Sequence, residues 1–253
     1  MRDVMKALQE HAQAVVKAGY KSEEILGVFC YGSQNYGFAD EHSDVDSKAI
    51  IIPKFYDLCF LPPVSKEIHL ENGEHCEVKD IREIIKMFCK QNLNFVEILF
   101  TEYCYINPEY EALWNFYFKQ HGERIAHYNP MQTVMSICGQ AMHTLKQNPT
   151  DGKKFADGLR MYNFLTEYLR DKPYAEAMKV PDEGWKEHVM NYKRGRLTPT
   201  ERETEVLVGS FRQLRDSYKD QGIMDTEIAA VMREGAMSLI ARRNNLPLSA
   251  ILE

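Results

Sequence analysis

The sequence lacks long apolar runs, closely spaced cysteine pairs and a signal-peptide core. No apolar run approaches the roughly 18 residues that a membrane span needs, and the charged start Met1-Arg2-Asp3 does not resemble a secretion signal. The six cysteines include no Cys-x-x-Cys pair, and most lie in apolar surroundings, so reduced, buried thiols are expected. These absences predict a cytoplasmic protein without a membrane partner.

Net positive charge is also absent. With 31 Lys and Arg against 37 Asp and Glu, the formal net charge is −6, which excludes a general nucleic-acid coat protein. A local basic groove is compatible with that total, because attraction of a charged ligand depends on the local field. The eight histidines form no zinc-binding pattern. The sequence leaves the oligomeric state open.

The first part of the chain, about residues 1–105, mixes predicted helices and strands. Apolar residues at helical spacing predict a helix over about 3–18. Strands are predicted over 25–31, 44–52 and 75–79, and further helices from Asp80 and over about 94–103. On the second strand the alternation places Asp44, Asp46 and Lys48 on one face and Val45, Ser47 and Ala49 on the other.

The second part, about residues 106–253, is predicted to be all helical. Asn107-Pro108, Asn129-Pro130 and Thr198-Pro199 each place a capping residue before a proline, and Thr198 with Glu201 also matches a capping box. Strand-like alternation is nearly absent after residue 106. The predicted fold class is therefore α+β, with a mixed domain over 1–105 and a helical domain over 106–253.

The most informative stretch combines Tyr31-Gly32-Ser33 with Asp44-Val45-Asp46. A Gly-Ser turn after an apolar strand can hold phosphate oxygens with backbone N–H groups and a hydroxyl. Two carboxylates at i and i+2 point to the same face of a strand, where they repel each other and lose solvation. A divalent cation removes that cost, so the combination predicts a two-metal phosphoryl-transfer site.

These residues resemble the nucleotidyltransferase superfamily related to DNA polymerase β. Its pattern is an apolar residue, Gly-Ser, a polar segment and Asp-apolar-Asp, with a third acid on a later strand. Similarity to a bacterial and phage branch associated with RNA repair is carried by Gly32-Ser33-Gln34-Asn35-Tyr36-Gly37, Ser43-Asp44-Val45-Asp46, Asp80-Ile81-Arg82 and Asn92-Leu93-Asn94-Phe95-Val96-Glu97-Ile98-Leu99. The resemblance covers about residues 25–105 and implies a nucleotidyltransferase fold, a small mixed sheet with flanking helices.

The resemblance also implies roles for the residues of the central motif. Asp44 and Asp46 would bind two Mg²⁺ ions, and Gly32 and Ser33 would hold the β- and γ-phosphates of a nucleoside triphosphate. One metal would activate an acceptor oxygen and the other would neutralise the triphosphate, with in-line attack at the α-phosphorus. The base of the preferred nucleotide is not readable from a motif.

The third acidic metal ligand is expected to be Glu77, with glutamate where the superfamily more usually has aspartate. An apolar-acid-apolar pattern exposes Glu77 on one face of its strand, where it could orient or deprotonate the acceptor hydroxyl. Glu74 is the alternative, although its position beside Gly73 is more typical of a turn residue. Lys48 is a candidate for the pyrophosphate side, but a neighbour of the acidic face is the better interpretation.

Basic residues of the helical part are candidates for the phosphates and for an RNA backbone. The resemblance implies that Lys154 and Arg160 reach across to the triphosphate, and solvated surface charges are an equally good interpretation. Lys193-Arg194-Gly195-Arg196 and Arg242-Arg243 are basic runs that would either contact RNA or form solvated loops. His42, beside Ser43, is better interpreted as a loop residue without a role.

The expected function is Mg²⁺-dependent transfer of a nucleoside monophosphate to an acceptor hydroxyl, with RNA as the favoured acceptor. A protein or a small molecule is an alternative acceptor, because the fold does not specify what receives the nucleotide. Two further alternatives are a nucleotide-binding regulatory protein without transfer activity and a toxin or defence enzyme that modifies a tRNA or protein. The glutamate at the third acidic position favours the regulatory alternative, and the intact Asp44 and Asp46 oppose it.

Overall fold

A computed structural model describes residues 2–41, 43–219 and 224–247 of the chain. Within these ranges the protein is a mixed α+β structure, with a five-stranded mixed sheet in the first part and helices alone after the last strand. None of the helices in the described ranges is long and apolar enough to cross a membrane. No disulfide forms among the described residues, and Cys30, Cys76 and Cys138 are buried whereas Cys59 is exposed.

The sheet has the strand order β3-β4-β2-β1-β5. The strands are β1 (Ile25–Tyr31), β2 (Asp46–Ile51), β3 (Ser65–His69), β4 (His75–Asp80) and β5 (Cys104–Ile106). Pairing is antiparallel except between the central neighbours β2 and β4, which are parallel. The predicted strands over 25–31 and 75–79 are confirmed, whereas β3 and β5 were not predicted.

The second predicted strand is two residues too long at its start. The ladder begins at Asp46, which pairs with Tyr31 of β1. The backbone N–H of Val45 instead donates to the Glu74 side chain at 3.1 Å, so Asp44 and Val45 lie outside the ladder. The alternation predicted along this strand is confirmed: Val45 and Ala49 belong to one hydrophobic cluster, and Ile50, on the face of Asp46 and Lys48, belongs to the other.

The helices of the first part are short apart from the first. They are α1 (Val4–Lys17), α2 (Ser33–Tyr36), α3 (Phe55–Phe60), α4 (Ile81–Cys89) and α5 (Leu93–Val96). The predicted helix start at Asp80 is confirmed, since its carboxylate accepts from the Arg82 N–H at 2.8 Å. The helix predicted over 94–103 is wrong in length: α5 passes into a 3₁₀ turn over Glu97–Leu99, and Tyr103 then accepts from the Cys30 N–H as the chain joins the sheet edge.

Within the described ranges, eight helices follow β5. They are α6 (Pro108–Trp114), α7 (Gly122–Ala126), α8 (Pro130–Gln147), α9 (Gly152–Tyr168), α10 (Tyr174–Ala177), α11 (Glu183–Lys193), α12 (Glu201–Tyr218) and α13 (Thr226–Arg243), with a π-helical turn over Asn115–Lys119. Asn107 and Asn129 cap their helices as predicted. The cap predicted at Thr198 is wrong, because Thr200 forms the capping box with Glu203, in which each residue accepts from the other's N–H.

The two faces of the sheet are covered by different elements. Helix α1 covers one face with the smaller hydrophobic cluster, which includes Leu8, Val28 and Val78. The other face belongs to a large cluster that also contains buried residues of the later helices, such as Phe164 and Leu239. The helical part therefore packs on the face that carries Asp46 and Lys48 (mixed part and helical part share one core).

Candidate active site

A cavity of about 860 Å³ lies between the mixed part and the helical part. Its lining includes Tyr31, Gly32, Ser33, Tyr36, Asp44 and Asp46 from the mixed part and Lys153, Asp157, Arg160, Lys193, Arg194 and Arg196 from the helical part. The structure thus brings the Gly-Ser turn and the Asp-x-Asp pair into one cavity, together with a row of cationic side chains.

The Gly-Ser turn connects β1 to α2. Gly32 has a φ of +85°, which favours glycine, and a Cβ at this position would lie 3.4 Å from Asp46 Oδ2. The Gly32 N–H donates to Glu97 Oε1 at 2.9 Å. Ser33 begins α2 and lines the cavity. The positive φ explains why a glycine follows β1, since the contact of a Cβ with the Asp46 carboxylate would be an ordinary one.

Asp44 and Asp46 both line the cavity beside the Gly-Ser turn. Burial raises the pKa of Asp46, and the charge of Asp44 raises it further, while His75 and Lys48 act in the opposite direction. The Asp46 Oδ1 atom lies 3.3 Å from His75 Nδ1. Asp46 is therefore a half-buried carboxylate beside the like charge of the exposed Asp44.

Glu77 lies deeper in the sheet than the Asp pair and does not line the cavity. It pairs across the parallel ladder with Lys48, whose Nζ lies 2.9 Å from Glu77 Oε1, and the Tyr31 hydroxyl donates to the same oxygen at 2.9 Å. Burial alone would raise the pKa of Glu77, but the charge and hydrogen bond of Lys48 and the bond from Tyr31 lower it below its usual value. The strand position level with Asp46 is occupied by His75.

Lys48 is buried between two aromatic rings. Its Nζ lies 3.7 Å from the centre of the Tyr31 ring and 4.2 Å from that of Phe95. Burial lowers the pKa of Lys48, although the charge of Glu77 opposes this. The interpretation of Lys48 as a neighbour of the acidic face fits these contacts, since its ammonium group is held by Glu77 and the two rings.

Glu97 is a fully buried carboxylate behind the Gly-Ser turn. It accepts from the Gly32 N–H and from the Tyr36 hydroxyl. Burial raises its pKa to about 8, while the charge of Arg160 and the Gly32 hydrogen bond act against this shift. The Arg160 guanidinium stacks on the Tyr36 ring at 4.0 Å. Glu97 thus contacts the Gly-Ser turn from the protein interior, and Arg160 contacts Tyr36, three residues after Ser33, from the cavity.

The cationic side of the cavity comes from α9 and from the end of α11. Arg160 lines the cavity, and on the same helix Lys153 rather than the predicted Lys154 does so. The Lys193 Nζ donates to the Phe38 carbonyl at 2.9 Å, and the Arg194 Nε lies 3.1 Å from Asp40. This basic run therefore contacts the loop that leads to Asp44.

The second basic run does not reach this cavity. Arg243 lies 3.3 Å from Glu24, at the start of β1, and it is largely buried. Its contact joins the end of α13 to the mixed part of the protein. Arg243 therefore has a structural partner where the sequence suggested either RNA or solvent.

Glu74 is buried on the opposite face of the sheet, although its sequence position is typical of a turn. Its Oε1 accepts from the Val45 N–H, and its Oε2 lies 3.0 Å from His11 Nε2 and 2.9 Å from Arg2. His11 is itself fully buried, and its Nδ1 lies 2.7 Å from Ser47 Oγ. The segment that carries Asp44 and Asp46 is therefore bonded to Glu74 and His11 on the face opposite the cavity.

Sequence reasoning assigned no role to several residues of the site. Glu97 is the one acidic residue of the Asn92–Leu99 segment and lies between apolar neighbours, which was the signal in the sequence for a buried carboxylate. His75 shares a strand face with Glu77, two residues away, and no further signal in the sequence marks it. Lys153 adjoins Lys154, the residue that the resemblance implied. His42 lies outside the described residues.

Within the part of the chain that the structure describes, no group of three or more His, Cys, Asp and Glu side chains is arranged to hold a metal ion. Asp44 and Asp46 are the acidic pair that the cavity offers next to the Gly-Ser turn. No protein-family model matches the sequence, and no curated protein matches it. The functional assignment therefore depends on the residues and their geometry.

Proposed function

We propose that the protein is a Mg²⁺-dependent nucleotidyltransferase of the DNA polymerase β-like type. The observation that carries the proposal is the shared cavity, in which Ser33, Asp44 and Asp46 face Lys153 and Arg160 across the junction of the two parts. Carboxylates for a divalent cation and cations for a triphosphate are the two requirements of nucleotidyl transfer.

The sheet topology supports the proposed fold. Strand β1 ends in Gly32-Ser33, the antiparallel neighbour β2 begins at Asp46, and β4 lies parallel to β2 on its other side. The superfamily pattern needs this order, because the turn and the acidic pair must meet at one end of adjacent strands. A small mixed sheet with flanking helices and a helical second part is the arrangement that the resemblance implies.

The residues fit a divalent cation through the chemistry of their donor set. Asp44 and Asp46 are hard oxygen donors of like charge, and the pKa of Asp46 is raised by its burial and by the charge of Asp44, against the opposing charges of His75 and Lys48. When bound, Mg²⁺ supplies charge stabilisation to the triphosphate and to the attacking oxygen. Glu77, the predicted third ligand, is held by Lys48 and Tyr31, so the proposal rests on the Asp pair.

The chain's own residues would bind and orient the nucleotide. Ser33 at the turn and Lys153 and Arg160 on α9 surround the space beside the Asp pair, so they are placed to hold phosphate oxygens. The Gly32 N–H is occupied by Glu97, which leaves the Ser33 side of the turn for the phosphates. Transfer would join the acceptor oxygen to the α-phosphorus and release pyrophosphate.

RNA is the favoured acceptor within this proposal. Arg194 and Arg196 line the cavity and are exposed to solvent, which places positive charge where an RNA backbone could approach. The net charge of −6 limits such attraction to this local region. The similarity of the turn and Asp-x-Asp segments to an RNA-repair branch points to the same acceptor.

The test is label transfer from each α-labelled nucleoside triphosphate, with Mg²⁺, total RNA and cell lysate, followed by separation of RNA, protein and small molecules. Label on RNA that disappears in the Asp44→Asn/Asp46→Asn variant is the expected result. Label on a protein or small molecule would keep the transfer reaction and overturn the RNA acceptor. Transfer that persists in the variant would contradict the proposed site.

A regulatory nucleotide-binding protein is the second candidate. It is favoured by one observation: Glu77, at the expected third acidic position, is paired with Lys48 instead of facing the cavity. Such a protein would bind the triphosphate without transferring any part of it. Retained nucleotide binding with no label on any acceptor would favour this candidate over the enzyme.

A further inference from the structure

The buried network around Glu74 lies directly behind the acidic pair. Glu74 is 3% exposed and uses its two carboxylate oxygens for different partners. Oε1 accepts from the Val45 N–H at 3.1 Å. Oε2 lies 2.9 Å from Arg2, 3.0 Å from His11 and 3.1 Å from the Asn72 amide nitrogen. One side chain thereby joins α1, the β3–β4 turn and the start of β2.

A second contact of the same network reaches β2 two residues later. His11 Nδ1 lies 2.7 Å from Ser47 Oγ, and His11 Nε2 lies 3.0 Å from Glu74. The attachments at Val45 and Ser47 stand on either side of Asp46. Because side chains alternate along a strand, fixing these two positions from one face determines how Asp46 points on the other.

The position of Asp44 depends on this network more strongly than that of Asp46. The β ladder begins at Asp46, so neither Asp44 nor Val45 is held by strand pairing. The backbone contact of Asp44 on the cavity side is a long one, 3.5 Å from the Gln34 amide nitrogen to its carbonyl. The Val45 hydrogen bond to Glu74, together with the buried Val45 side chain, therefore fixes the segment between the two acids.

We propose that Glu74 is a positioning residue that holds the backbone between Asp44 and Asp46, so that both carboxylates meet at one divalent-cation site. This inference rests on the proposed function, since it concerns the same site. Glu74 lies on the far face of the sheet and acts through the Val45 N–H. Carboxylates of like charge tend to separate unless the backbone restrains them, and outer partners of metal ligands restrain them in this way.

A turn residue alone would not need these contacts. The turn is served by the Glu74 N–H, which donates to the Asn72 side chain at 3.0 Å, and by the Leu70 N–H, which donates to the Glu74 carbonyl at 2.8 Å. Both are backbone groups of residue 74 that any amino acid but proline would supply. The buried carboxylate also accepts from the Asn72 side-chain amide, but its other contacts, with Val45, His11 and Arg2, lie outside the turn.

The experiment measures equilibrium binding of Mn²⁺, as a spectroscopic stand-in for Mg²⁺, to the full-length protein without nucleotide, together with thermal unfolding. Glu74→Ala is expected to weaken Mn²⁺ binding by about tenfold or more, the usual effect of losing an outer partner of a metal ligand. Glu74→Gln keeps an acceptor for Val45, so its loss is expected to be smaller. Gln91→Leu removes a buried side chain whose hydrogen bonds go to Phe88, Ile125 and Thr133, outside this network, and serves as the stability control.

The outcomes separate the inference from the proposed function. Suppose that the wild-type protein binds Mn²⁺ and that Asp44→Asn/Asp46→Asn does not. Equal affinity of Glu74→Ala and wild type would then overturn the positioning role and leave the proposed function intact. Wild-type protein that binds no Mn²⁺ overturns both. If Glu74→Ala does not fold, unchanged affinity in both Glu74→Gln and Ser47→Ala overturns the positioning role. Weaker binding in Gln91→Leu at equal loss of stability would also overturn it.

Discussion

The two faces of β2 carry polar groups that are arranged differently, buried on one face and open to a cavity on the other. On the α1 face, His11, Ser47 and Glu74 satisfy one another and the Val45 N–H, so the network is closed. On the other face, Asp46 shares the cavity with Asp44, and its Oδ1 atom lies 3.3 Å from a His75 nitrogen. The strand thus holds a closed network on one face, and the adjacent residue Asp46 lines a cavity suited to a ligand on the other face.

A second contrast lies within the face that carries the cavity. Glu97 is fully buried and Glu77 is half-buried, and the ammonium group of Lys48 contacts Glu77. The pKa of Glu77 is consequently lowered, whereas burial raises that of Glu97 to about 8. A buried carboxylate with a cation in contact stays ionised, and one without such a contact holds its proton near neutral pH.

Asp46→Asn is expected to have the largest effect, a loss of activity without a loss of stability. Nucleotidyl transfer should fall at least about a thousandfold, because several kcal/mol of charge stabilisation in the transition state depend on the bound cation. The melting temperature should stay constant or rise, since burial and Asp44 already disfavour the charged form of Asp46. Parallel transfer and unfolding assays check both parts.

The control for this variant is Asp57→Asn, which changes a capping carboxylate on α3, outside the cavity. It should leave transfer unchanged. A large loss of stability in Asp46→Asn would mean that Asp46 belongs to the structural network and would erase the contrast between the two faces.

Lys48→Met tests the buried ion pair on the cavity face. Removing the cation leaves Glu77 partly buried without its main partner, which should lower the free energy of unfolding by about 3 kcal/mol. Denaturant unfolding measures the change. The double variant Lys48→Met/Glu77→Gln should recover a large part of the loss, because no unpaired charge remains.

The matched control is Lys79→Met, since Lys79 lies 3.4 Å from the other oxygen of Glu77 and is more exposed. Its cost should stay below about 1 kcal/mol. Equal losses for Lys48→Met and Lys79→Met would show that burial of the Lys48 pair contributes nothing.

Glu97→Gln tests the difference in pKa between Glu77 and Glu97 through the pH dependence of stability. The pKa of Glu97 is raised from 4.5 to about 8 in the folded protein, so the folded state binds the extra proton between these values. Stability from this group is therefore present at low pH and is lost as pH rises toward 8, by up to about 1.4 kcal/mol per pH unit. Glu97→Gln should flatten that decline.

Unfolding curves between pH 5 and 9 would be compared with those of Glu67→Gln, which alters a half-exposed carboxylate on β3. That control should retain the wild-type decline. An unchanged pH dependence in Glu97→Gln would show that Glu97 is already ionised at neutral pH.

Local periodicity predicted much of the fold. The bounds of β1 and the cap at Asp80 followed from an apolar run and a capping residue, both local signals. The start of β2 was misplaced because the Val45 N–H bonds to Glu74, a partner 29 residues away. The cap at Thr200 was missed because two threonines competed and only the capping-box geometry distinguishes them.

The parts of the site that are contiguous in the sequence were predicted, whereas contacts between distant segments of the chain were not. The Gly-Ser turn and the Asp pair do reach one cavity. Neither the pairing of Glu77 with Lys48 nor the buried position of Glu74 was readable, because both depend on the register of β4 against β2. Lys153 replaces Lys154 at the cavity because one residue turns a helix by about 100°.

The most direct test compares the fate of two labels on one nucleoside triphosphate in a single-turnover reaction with wild-type protein and Mg²⁺. The proposed reaction predicts that α-label becomes covalently attached to the acceptor and that γ-label leaves as pyrophosphate, with both signals absent in Asp44→Asn/Asp46→Asn. Attachment of γ-label to the acceptor, with α-label remaining in nucleoside diphosphate, would contradict nucleotidyl transfer and identify a phosphotransferase instead.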